Sequence, residues 1–136
     1  MPKTMFGMKQ VVLWIFFVVT ALAPSVAYAR CAKIKFDNTM HNFEAVAEDG
    51  GAVLHEFVFT NEGDAALVIF EVNTNCGCTV ADYPEAPIAP GNQGVISITF
   101  DPKGNVGEFA KEIVVKTNAK KKKTRLRIKG VVIPQQ

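Results

Sequence analysis

Tryptophan occurs once in these 136 residues, at Trp14, and acidic residues are missing from the first 29. Beyond residue 29 there is one tyrosine, Tyr83, one serine, Ser97, and two histidines, His41 and His55. No Gly-x-Ser-x-Gly elbow, His-Glu-x-x-His pair or glycine-rich phosphate loop occurs. An ordinary enzyme is therefore not expected, and no catalytic residue or cofactor is assigned. Without tryptophan the body of the chain lacks the Cys…Trp…Cys pin of antibody domains. It also lacks any uninterrupted helical pattern of ten or more residues, so the fold must be built from strands.

The N-terminus has an order of its own. Lys3 and Lys9 precede the run Val11 to Val19, which continues through Thr20-Ala21-Leu22-Ala23 and breaks at Pro24. Ala27-Tyr28-Ala29 then puts small residues at both positions that a signal peptidase reads. The 13-residue apolar stretch is shorter than the roughly 20 needed to span a bilayer. Residues 1–29 are thus expected to be a signal peptide, leaving 30–136 as one exported domain with no transmembrane anchor after cleavage. Cys31 could accept a lipid only behind a small residue, and Arg30 stands there. The periplasm and the cell surface both fit.

Past residue 32 the apolar period is two. Ile34 and Phe36, Phe57 and Phe59, Ile96, Ile98 and Phe100, Phe109 and Ile113, and Leu126 and Ile128 each alternate with polar neighbours, as half-buried strands do. Those from Phe57 onward, with Leu67 and Ile69, are the expected core. The run Leu67-Val68-Ile69-Phe70 is apolar throughout and reads as a strand covered on both faces. Turn signals separate the runs: Asp49-Gly50-Gly51, Asn61-Glu62-Gly63-Asp64, Pro90-Gly91-Asn92 and Asp101-Pro102-Lys103-Gly104. About seven short strands at this spacing predict an antiparallel sandwich.

Charge is divided unevenly. Residues 30–136 carry 13 basic and 13 acidic groups, a neutral total that argues against nucleic acid as a partner. Yet residues 30–115 hold five basic and all 13 acidic residues, and 116–136 hold eight basic residues alone. Lys120, Lys121, Lys122 and Lys123 crowd what reads as a hairpin tip. They suit an anionic headgroup layer or an acidic partner, or else serve as a solvated turn that protects strand edges.

Three cysteines leave one unpaired in any intramolecular scheme. Cys76 and Cys78 lie two apart, so on an extended strand both sulfurs project to one side. Two adjacent thiolates suit soft metals such as Cu(I) or Zn, although stable sites want three or four ligands. A Cys-x-Cys disulfide would close a tight loop and exchange readily. The remaining reading is structural: small buried cysteines at a strand end, one of them bridged to Cys31.

Phe57-x-Phe59-x-Asn61-x-Gly63-Asp64, Asn75-Cys76-Gly77-Cys78-Thr79, Pro87-Ile88-x-Pro90-Gly91, Ile98-x-Phe100-Asp101, Gly107-x-Phe109 and Thr117-Asn118-Ala119 occur in this order. Over roughly residues 34–132 the chain resembles the bacterial secreted family catalogued as "domain of unknown function 1573". The resemblance implies an all-β, immunoglobulin-like sandwich of the hydin and major-sperm-protein type, a group of interaction modules. The combined expectation is an exported, non-enzymatic binding or scaffold module for an unidentified protein or envelope component. The alternative is a thiol protein that uses Cys76 and Cys78 for redox exchange or soft-metal capture.

Overall fold

The computed structural model describes residues 28–136. The expected signal peptide thus lies almost entirely outside the described residues. Eight strands follow in order: β1 (Ile34–Phe36), β2 (Met40–Ala47), β3 (Val53–Asn61), β4 (Ile69–Asn73), β5 (Thr79–Asp82), β6 (Gln93–Phe100), β7 (Gly107–Thr117) and β8 (Lys123–Ile133). They form two four-stranded sheets, β1-β3-β6-β5 and β2-β8-β7-β4. Among these strands every pairing is antiparallel except that of β2 with β8. The exception corrects a purely antiparallel expectation. Only Asp37–Thr39 separate β1 from β2, so the chain changes sheets while keeping its course.

All eleven residues expected in the core are buried. Inward positions alternate along β3, β6, β7 and β8, and the two inner faces share one layer of Phe, Ile, Leu and Val. Phe100 and Phe109 face each other across that layer, ring centroids 4.1 Å apart and nearly parallel. The run at 67–70 departs from its reading. Leu67 makes a single bridge to Ile88, and β4 then bulges between Ile69 and Glu71. The extra residue, Phe70, stands outward on an edge strand and is 62% exposed.

One buried polar residue organises an end of the sandwich. Asn61, fully buried, donates through Nδ2 to the carbonyls of Ala65 and Ile88 and accepts at Oδ1 from the amides of Gly63 and Lys33. A side chain at Gly63 would meet the Cys31 carbonyl at 2.2 Å, so only glycine lets Cys31, Ala32 and Lys33 cross so closely.

Candidate functional site

The β7–β8 hairpin is rooted firmly. The Thr117 amide donates to the Lys122 carbonyl and closes the loop. Ala119 is buried at its base, and its amide donates to Thr117 Oγ1. Asn118 reaches sideways: Oδ1 accepts from the Val68 amide at 2.8 Å and Nδ2 donates to the Ala66 carbonyl at 3.0 Å. The Lys120 amide points back to the Ala32 carbonyl at 3.4 Å. A held backbone thus presents Lys120 to Lys123, all four exposed. The ion pairs among the described residues use Lys33, Lys35, Lys116, Arg125 and Arg127. None uses the tip lysines, whose charge stays uncompensated at close range.

Cys76 and Cys78 form a disulfide with each other across the link between β4 and β5. Both are half-buried rather than buried, and exposed Gly77 has open space where a Cβ would stand. The Cys78 amide donates to Cys76 Sγ at 3.2 Å, and the Thr79 hydroxyl lies 3.7 Å from Cys78 Sγ. The Cys78 carbonyl accepts from the Asp101 amide, which fixes this loop beside the end of β6.

Cys31 is free and exposed, which corrects a bridge to either partner. Its amide bonds Asp64, next to the Asn61 end of the sandwich, where β6 begins. The disulfide lies where β6 ends. Eight residues of strand separate the two places, about 23 Å of rise, against the 7 Å or so that a disulfide tolerates between Cα atoms. While oxidised, the pair has no thiolate to offer a metal. Among the described residues no group of three or more His, Cys, Asp or Glu is arranged to hold one.

A third feature escaped the sequence reading. His41 of β2 stacks on His55 of β3 at 3.6 Å, so the pair bridges the two sheets, with Phe43 and Phe57 edge-on to the rings. Burial lowers the His55 pKa, the neighbouring His41 lowers it further, and Glu56 opposes both. No spacing rule pairs these residues in the sequence. A concavity of about 400 Å³ at the disulfide end is lined by Glu48, Asp49, Gly51, Asp101, Lys103 and Gln135, a mixed-charge set on loops.

Residues 34–132 match the family described as "Protein of unknown function (DUF1573)". The chain belongs to that family. No curated protein matches it. Among solved structures it is similar to a protein of unknown function from Porphyromonas gingivalis W83, with a TM-score of 0.68 and 19% identity, over 81% of this chain and 51% of that one. It therefore spans about half the length of the Porphyromonas protein. It is also similar to the ASH/PapD-like domain 7 of human CEP192, with a TM-score of 0.64 and 15% identity, over 85% of this chain and 95% of that domain. A third likeness is to the VesB protease of Vibrio cholerae, with a TM-score of 0.57 and 13% identity, over 74% of this chain and 31% of the protease. At these identities the likeness is one of fold. The DUF1573 domain here is an all-β, immunoglobulin-type sandwich.

Proposed function

We propose that this protein is exported, loses residues 1–29, and works as a non-enzymatic binding module of the bacterial cell envelope. One observation carries the binding reading: four exposed, unpaired lysines on a hairpin whose backbone is pinned at Thr117, Asn118, Ala119 and Lys120. A rigid loop loses little conformational entropy when a partner engages it. Membership in a family of unknown function and a PapD-like relative are compatible with this role. The test places a photo-crosslinking residue at Lys121, and for comparison at Ser97 on the outer face of β6. A discrete adduct in cells from the hairpin alone supports the module; equal or absent labelling at both positions sinks it. Intact mass of the exported protein should begin at Arg30.

The disulfide favours a second reading, thiol exchange. Attack by a substrate thiolate on one sulfur would release the other as a thiolate, and a second substrate thiol would resolve the mixed disulfide. The Cys78 amide stands where it would stabilise Cys76 as the released thiolate, and the Thr79 hydroxyl where it would stabilise Cys78 instead. Stoichiometric oxidation of a dithiol peptide by the native protein, lost in Cys76→Ser, is the outcome that would favour it.

A further inference from the structure

Resting on the reading of the hairpin as a contact surface, we infer that its partner is an anionic bilayer. Lys120 to Lys123 lie against the headgroups and Phe70 reaches the acyl boundary.

Three independent features converge on this end of the molecule. Phe70 is the first. It bulges from β4 between the rungs Ile69–Thr117 and Glu71–Lys116, at the root of the hairpin, with its ring exposed. A lone exposed phenylalanine beside a lysine cluster is the pairing that interfacial segments use, apolar ring below and cations at headgroup level.

The second is where the chain enters the sandwich. Ala32 is buried and its carbonyl accepts from Lys120. The chain therefore enters the sandwich at Ala32 beside the lysine tip and not at the disulfide end. A leader that engages the membrane during export would bring the lysines there before its cleavage.

The third is the local charge balance. Acidic groups on the segments that join this end are engaged: Glu62 with Lys33 and Lys35, Glu71 with Lys116, and Asp64 with the Cys31 amide. No ion pair among the described residues neutralises Lys120 to Lys123.

An acidic polypeptide is the other anionic partner, and the chemistry of the tip argues against it. The tip is built of lysines, which act as point charges and do not form the bidentate fork by which arginine grips carboxylates. The concavity lies at the far end and carries Glu48, Asp49 and Asp101. A point-charged tip with one apolar ring fits a flat, fluid anionic layer.

Co-sedimentation of the exported protein with vesicles tests this, using phosphatidylcholine alone and phosphatidylcholine mixed with phosphatidylglycerol. The ratio of the two affinities is the readout. At low salt the ratio should favour anionic vesicles by on the order of several hundredfold, about fivefold per lysine, and should collapse near 1 M salt. The quadruple variant K120Q/K121Q/K122Q/K123Q should bring the ratio close to one. Phe70→Ser should weaken anionic binding about tenfold and leave its salt dependence unchanged. All five side chains are exposed, so an unchanged melting temperature is expected, and the salt series needs no variant. A ratio near one for the unaltered chain, or an unchanged ratio in the quadruple variant, overturns the inference. Capture of polyglutamate through the hairpin without vesicle binding also overturns it while leaving the binding-module reading intact.

Discussion

The imidazole of His41 lies flat on that of His55, ring centroids 3.6 Å apart and planes 8° from parallel, joining an edge of one sheet to the middle of the other. A proton on His55 is poorly received there. His55 is held below its ordinary value of 6.5, first by burial and then by His41. A base whose pKa is lowered on folding takes up protons more readily in the unfolded chain, so protonation favours unfolding. The contribution of His55 to stability should be constant above about pH 7 and should be lost as the pH falls below about 6.5, before most carboxylates titrate. Urea denaturation across that range is the measurement. His55→Phe, which keeps an aromatic ring against Phe57, should flatten the profile; an equally steep profile in the variant would exclude this pair as its source.

Asn61 makes four side-chain hydrogen bonds in a fully buried position, to Lys33, Gly63, Ala65 and Ile88. Asn61→Leu leaves the Ala65 carbonyl and the Lys33 and Gly63 amides without their partner, while the Ile88 carbonyl keeps the Leu67 amide, and should cost about 3 kcal/mol by chemical denaturation. Asn61→Asp keeps the acceptors, loses both donations and buries a charge. Its deficit should shrink as the pH falls towards 4 or so and the carboxyl takes a proton. A deficit that does not change with pH would mean that the new carboxylate finds water.

The core was legible because its strands keep a strict period of two: Phe57, Phe59, Ile96, Ile98 and Phe100 face inward as their alternation requires. What escaped was every place where that period slips. In β2 the inward residues are His41 and Phe43 before Glu44 and Val46 after it. Glu44 sits in the left-handed region at φ 60°, its amide capped by Asn42 Oδ1, and shifts the frame by one. The same kind of slip at Phe70 turned outward a residue of a strand expected to be covered on both faces. A short strand, β5, was hidden because Thr79–Asp82 shows one full alternation at most. The lysine tip and the cysteine pair could be named from the chain, but that they occupy opposite ends is a property of topology.

Gly94 of β6 faces Phe59 of β3 on the core side, and a Cβ there would stand 2.3 Å from the ring. Gly94→Ala should therefore cost about 1–3 kcal/mol by overpacking. Phe59→Ala should cost about 3–5 kcal/mol by leaving a cavity. Because the two changes act on one contact, their effects should not add. In Gly94→Ala/Phe59→Leu the smaller side chain makes room, and the double variant should be less destabilised than the sum of the singles. Strict additivity would show that the backbone, not the ring, absorbs the added methyl.

The cysteines give the last prediction, because their pairing decides which thiols a reagent can find. With Cys76 bonded to Cys78 and Cys31 free and exposed, native protein should titrate as one thiol per chain, and reduced, denatured protein as three. Three thiols in the unreduced protein would remove the disulfide, and with it the exchange reading. The bond closes a loop of only three residues, so it constrains the unfolded chain little. The chain-entropy relation gives about 1.6 kcal/mol, far less than for a cross-link over a long loop. Cys76→Ser/Cys78→Ser should accordingly lower stability by about 1–2 kcal/mol and still fold, since neither sulfur lies deep in the core. A variant that fails to fold would assign the pair a larger structural role. A variant that folds with this modest loss, and no longer oxidises a dithiol peptide, would place its value in the reactivity of the bond.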